Sequence, residues 1–143
     1  MARRSIRDIV AQRDILLMSQ DMTVREAVRR MTKENYGSVL VEHDGKFVGI
    51  FTERDALSRV LTEGRNPDTT TLQEVMTQNP ISVHPDRPLV NALHMMYQYG
   101  FRHVPVVEDG RPIGVVSVRD ALGTELSQFE NELRELELVT AKL

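Results

Sequence analysis

The chain contains itself twice. Displaced by 65 positions, residues 14–57 lie on residues 79–122 without a gap. Asp21 falls on Asp86, Ala27 on Ala92, Met31 on Met96, Val39 on Val104, Val41 on Val106, Asp44-Gly45 on Asp109-Gly110 and Gly49 on Gly114. The match ends on the identical tetrapeptides Arg54–Leu57 and Arg119–Leu122. With a one-residue shift it extends upstream, where "SIRDIV" (5–10) resembles "TLQEVM" (71–76). A repeat of this period means one supersecondary unit used twice. A single unit of about 50 residues is marginal alone, so the two should share a core.

Local patterns predict the content of each unit. Leu16–Met18 and Ile81–Val83 read as short strands. A helix follows at Thr23, with Glu26 at the capping-box position and Val24, Ala27, Val28 and Met31 on one face. The second copy opens at Pro88 and repeats the stripe as Leu89, Ala92, Leu93 and Met96. Next come two β-rich runs around Asp44-Gly45, and two more around Asp109-Gly110. Asp-Gly between such runs is a hairpin signal, because both turn residues need positive φ. A second helix should close each unit. The "SIRDIV" and "TLQEVM" stretches each place a hydroxyl three residues before an acid, which starts a short helix. The organisation is residues 5–62 as repeat 1, a polar linker at 63–70, residues 71–125 as repeat 2, and a C-terminal amphipathic helix over 126–143.

Composition narrows the function classes. With 143 residues and 41% hydrophobic content, one compact core is affordable. The net charge of −3 argues against a nucleic-acid binder held by a basic surface. There is no cysteine, hence no disulfide framework or thiolate chemistry. The N-terminus lacks the apolar stretch of a secretory signal, and no run approaches the roughly 20 apolar residues of a membrane span. The expectation is a soluble cytoplasmic protein.

The repeated segments "GIFTERDAL" (49–57) and "GVVSVRDAL" (114–122) can be read two ways. Thr52 and Ser117 end a strand and open a helix, so they are natural N-caps, and Asp55 and Asp120 can complete capping boxes. The same groups also suit a nucleotide. A helix start and a hydroxyl favour phosphate, and a carboxylate one turn in can accept from vicinal ribose hydroxyls. Gly49 and Gly114, without a Cβ, would let a flat base lie close to the strand. Arg54 and Arg119 add cations that capping does not require. Both readings stand on these residues.

The chain resembles a pair of CBS domains, the Bateman module, over roughly residues 5–125. The pattern Gly-apolar-x-Ser/Thr-x-x-Asp is complete in both copies. The resemblance implies an α/β (α+β) fold of two pseudo-symmetric βαββα repeats packed sheet to sheet, with a C-terminal helix extension. It implies a regulatory module, not an enzyme, that binds an adenine nucleotide or another adenosyl ligand: AMP, ADP, ATP, NAD or S-adenosylmethionine. Asp55 and Asp120 would then hold ribose, and Thr52 and Ser117 would lie near phosphate. Met18, Val39, Ile50, Ser82, Val83, Val104, Pro105 and Val115 would line the base pockets. Magnesium could accompany a polyphosphate. The second copy reads "FRHVPVV" (101–107), where Arg102 and His103 match the basic pair that reaches phosphate in nucleotide-binding members. The first has Gly37 and Ser38 there, and Leu40 in place of Pro105, so the two clefts should differ. The alternative is a ligand-free interaction module in which the motifs only cap helices.

Other chemistry finds little support. The four histidines are unclustered in sequence, which argues against a structural metal, and His94 reads as lying on the solvated side of its helix. No nucleophile elbow, phosphate-loop lysine motif or zinc-protease motif is present. Leu122, Leu126, Phe129, Leu133, Leu136, Thr140 and Leu143 recur in steps of four and three, a heptad-like seam. It would cover the module's own core or, as the preferred reading, a second copy in a homodimer. An effector protein would receive the signal.

Overall fold

A computed structural model describes residues 4–141. Helix α1 (Ile6–Val10) leads to β1 (Leu17–Ser19), α2 (Val24–Glu34), β2 (Ser38–His43), β3 (Lys46–Thr52) and α3 (Glu53–Asp55), which widens into a π-helical turn over Ala56–Leu61. Then come α4 (Leu72–Val75), β4 (Thr77–Gln78), α5 (Leu89–Tyr99), β5 (His103–Glu108), β6 (Arg111–Ser117), a 3-10 turn (Val118–Asp120) and α6 (Gly123–Ala141). Strands β1-β2-β3-β4 form one sheet and β5-β6 another. The fold is the expected mixed α+β pair of similar halves with a C-terminal helix.

The hairpins form where the Asp-Gly pairs predict. Asp44, Gly45, Asp109 and Gly110 all have φ between 51° and 76°, as such tight turns require. Both hairpins carry an irregularity at the same place, between Val41 and Glu42 and between Val106 and Val107. Thr23 caps α2 by accepting from the Glu26 amide. Ser5 does the same for α1 with Asp8, and Thr71 and Glu74 make a reciprocal box at α4.

The strand expected at Ile81–Val83 shrinks to one bridging residue, Val83, which pairs in parallel with Val106. Two prolines explain the loss. In the first half the Leu40 amide donates to Leu16 and the Gln20 amide to Glu42. The positions matching Leu40 and Gln20 are Pro105 and Pro85, which have no N–H to give. The second closing helix departs as well. Ala121 is extended, with ψ 133°, so the 3-10 turn stops and α6 starts afresh. The Asp120 carbonyl accepts from the Arg4 guanidinium at 2.6 Å.

The opening segment of each repeat serves the core of the other half. Leu72, Val75 and Met76 pack with Met18, Val24, Met31, Val39 and Phe51 beneath α2. Ile6, Ile9 and Val10 pack with Leu89, Leu93, Met96, Val104 and Val116 beneath α5. Matched backbone bonds fix both exchanges. The Leu72 amide donates to Met22 and the Gln73 amide to Gln20, while Ile6 donates to Arg87 and Arg7 to Pro85.

Gly49 and Gly114 are therefore occupied differently from the sequence expectation. A Cβ on Gly114 would stand 2.6 Å from Val10 Cβ, and one on Gly49 2.5 Å from Met76 Sδ and 2.9 Å from the Thr77 carbonyl oxygen. The glycines admit the exchanged segments, not a base. Gly114→Ala should cost roughly 1–3 kcal/mol by overpacking, and adding Val10→Ala should recover part of it. Gly123→Ala, which meets no neighbour within 4 Å, should leave the urea midpoint unchanged or raise it. These midpoints check the exchange directly.

Candidate functional site

Two equivalent corners form where each hairpin ends. Ser38 pairs across the strands with Thr52, and His103 with Ser117. In the first corner the Thr52 amide donates to Asp55 Oδ2 at 2.9 Å, the Thr52 hydroxyl to the same oxygen at 3.1 Å, and the Asp55 amide to Thr52 Oγ1 at 3.3 Å. In the second the Ser117 amide donates to Asp120 Oδ2 at 2.8 Å. Both motifs are reciprocal capping boxes. In each, the backbone orients one carboxylate oxygen and leaves Oδ1 for another partner.

Those other partners differ. Asp120 Oδ1 meets Arg13 Nη1 at 2.7 Å, while Asp55 Oδ1 lies 3.5 Å from Arg59 Nε. Arg59 is tethered, since its Nη1 donates to the Val75 and Met76 carbonyls at 3.1 and 2.9 Å. Arg59 thus ties the Asp55 corner to the exchanged segment. Arg13 stands in the turn that follows α1. Sequence reasoning missed both arginines. The available signal was an unmatched charge: under the shifted match, Asn79 stands where the second corner has Arg13.

The basic residues expected at phosphate are distributed unequally. Arg54 Nη1 donates across the halves to the Gly100 carbonyl at 3.1 Å, capping the end of α5. Arg102 and Arg119 are exposed and make no ion pair with another described residue. His103 is half-buried and reaches the first half. A Cβ on Gly37 would stand 2.9 Å from His103 Nε2 and 2.8 Å from Glu53 Oε1. The lack of a side chain at Gly37 makes room for both. Burial pushes the His103 imidazole below its ordinary value; Glu53 and Asp120 oppose the shift, and Arg119 and Arg102 reinforce it.

The apolar residues expected at the bases fall on two faces. Met18 and Val39 lie in the first core, and Val83 and Val104 in the second. Leu40 and Ile50 are paired and buried but belong to neither helix-covered core. Pro105 and Val115 are paired at the corresponding register. By pleat alternation these four face the space between the sheets. Ser82 is exposed.

His94 corrects an expectation. It is not on the solvated side of α5. Its Nε2 is 2.6 Å from Glu132 Oε2, and its ring meets Phe129 edge-on at 5.0 Å. Phe129 packs against the second core, so the first part of α6 lies on α5. Further along, Leu136, Leu138 and Val139 are exposed. Leu143, the last residue of the seam, lies outside the described residues. Among the described residues His84, Asp86 and Glu108 bring potential metal ligands within 4.8 Å of one another. Arg7 already donates to both carboxylates. No helix among the described residues is long and apolar enough to cross a membrane.

A family model described as the CBS domain matches twice, over residues 6–62 and 72–126. The chain belongs to the CBS-domain family. It is similar to an uncharacterized protein of Methanopyrus kandleri, MK0525, at 34% identity over 90% of this chain and 68% of that one. It is also similar to the mitochondrial CBS domain-containing protein CBSX3 of Arabidopsis thaliana, at 33% identity over 85% of this chain but 61% of the relative. Among solved structures it resembles the CBS domain pair of protein MJ0100 in complex with 5'-methylthioadenosine and S-adenosyl-L-methionine. That similarity has a TM-score of 0.73 and 28% identity, covering 83% of this chain and 93% of the other.

The half-buried imidazole should make this CBS pair acid-sensitive. A histidine whose folded-state value lies below its unfolded value takes up protons more readily when unfolded, so stability rises with pH. The penalty is absent well above the ordinary value of 6.5. It grows as pH falls through 6.5 and is complete below the folded-state value. His103→Gln should therefore lose less stability than the parent between pH 7.5 and pH 5. Urea midpoints at the two pH values, with an NMR titration of His103, measure it. Equal losses would remove the burial assigned to this ring.

Proposed function

We propose that this CBS pair is a non-catalytic regulatory module that binds an adenosyl compound between its halves. The observation that carries the reading is the pair of capping-box carboxylates. Each has one oxygen fixed by its own strand end and the other directed to a guanidinium. Two vicinal ribose hydroxyls can replace such a partner with charge-assisted bonds. The base would lie between the sheets against Ile50, Pro105 and Val115. Phosphate would find the Thr52 and Ser117 hydroxyls, with Arg102, His103 and Arg119 near the second corner. AMP, ADP and ATP suit these groups best, and magnesium would enter with a polyphosphate. The MJ0100 complex supports an adenosyl ligand in a module of this fold.

The response would pass to an effector protein through the contact between halves, where Arg54 and His103 cross, and through a second copy docked on the exposed part of α6. A cytoplasmic setting fits this role. One observation favours the rival reading, a ligand-free interaction module: both carboxylates already have partners in the structure.

Thermal shift with AMP, ADP, ATP, NAD and S-adenosylmethionine separates the two. A ligand at one hundred times its Kd should add about 2.7 kcal/mol by mass action, raising the melting temperature. Asp55→Ala or Asp120→Ala should weaken binding at its own cleft by roughly 1.5–3 kcal/mol. Absence of any response to all five compounds at millimolar concentration would favour the interaction module.

A further inference from the structure

The two carboxylates are held by arginines of different freedom. Arg59 cannot leave Asp55 without also breaking its bonds to the Val75 and Met76 carbonyls. Arg13 has no such tether. Asp120 is its one side-chain partner among the described residues, and its side chain remains 46% exposed beside a carboxylate that is only 10% exposed. The backbone around it is separately secured. The Arg13 amide donates to Val10, and Arg4 holds the Asp120 carbonyl together with Glu125 at the start of α6. The Arg13 side chain can therefore move while its surroundings stay in place.

We propose that Arg13 is a specificity residue of the second cleft, guarding Asp120 when the cleft is empty and pairing with the ligand's phosphate when it is filled. This rests on the adenosyl reading of the site. A ribose that takes Asp120 Oδ1 must displace the guanidinium. A bare nucleoside breaks the ion pair and offers no anion in return. A nucleoside monophosphate supplies one, and the planar guanidinium suits its oxygens. The exchange conserves charge: the carboxylate passes from cation to hydroxyls, and the cation passes from carboxylate to phosphate. The cleft thus favours phosphorylated ligands twice, by a penalty on those without phosphate and by a contact for those with it. The Asp55 corner lacks the device, because its arginine is tethered and only loosely engaged at 3.5 Å.

The test is calorimetric titration of the full chain with adenosine and AMP in an Asp55→Asn background, so that the second cleft reports. Arg13→Gln and Arg13→Lys are compared with that parent. Arg13→Gln should bind adenosine about two- to fivefold more tightly, because no ion pair must be broken. It should bind AMP roughly tenfold or more weakly, because a charge-assisted contact is lost. Arg13→Lys should keep the preference for AMP, and unchanged melting temperatures of the free variants confirm that the fold survives. Shifts of equal size and direction for both ligands, or no shift in either, overturn the role of Arg13 alone. A parent that binds neither compound also overturns it, and if the unsubstituted chain ignores S-adenosylmethionine as well, the adenosyl reading falls with it.

Discussion

The contacts of Val10 with Gly114 and of Met76 with Gly49 hold the two halves in one structure. Each half is closed by the segment that opens the other, and each closure needs a glycine where any Cβ would collide. The consequence reaches the site by a short route. β3 and β6 carry these glycines and end three residues later at Thr52 and Ser117, the first residues of the two corners. On the other side, Arg59 ties Asp55 to the Met76 carbonyl, and Arg13 follows directly on the helix that fills the space at Gly114. Folding and site geometry thus share the same few residues. Any ligand that moved either carboxylate's partner would act on a segment that belongs by sequence to one half and by packing to the other.

The corners also show that a motif that caps a helix keeps one carboxylate oxygen to spare. A capping box uses one carboxylate oxygen and the backbone amides around it. The remaining oxygen is spare for helix formation, and its partner can change without unravelling the turn. The partners chosen break the symmetry of the pair. The first corner has a tethered arginine and no side chain at Gly37. The second has an arginine without such a tether, two exposed cations and a histidine that projects into the first half.

Much of this was legible in the sequence because it is local. The Asp-Gly turns, the caps at Ser5, Thr23 and Thr71, and the two capping boxes each depend on a few adjacent residues. The repeat itself specified two similar halves, and the CBS resemblance carried the fold. The exchange was not legible. A repeat states which segments are alike but not which sheet each one closes, so Gly49 and Gly114 read as room for a base when they are room for Met76 and Val10. Pairwise electrostatics between distant segments were hidden for the same reason, which is why the Arg13–Asp120 pair escaped notice. Arg59 lies only four residues from Asp55, and what the sequence hid there was its tether to the Val75 and Met76 carbonyls. The truncated second strand was legible in principle, since Pro85 and Pro105 remove the two amides it needs. His94 was misplaced because its partner, Glu132, lies 38 residues away on a helix that the sequence does not show docking on α5, where Phe129 packs against the second core.

The central claim is that the two helix-capping carboxylates are also ribose acceptors. A crystal structure of the full chain grown with AMP tests it most directly. The expected result is an adenosyl group between the sheets, with its ribose 2' and 3' hydroxyls within hydrogen-bond distance of Asp55 or Asp120 and the corresponding arginine moved off the carboxylate. Well-ordered AMP bound elsewhere, with both carboxylates still paired to Arg59 and Arg13, would contradict it.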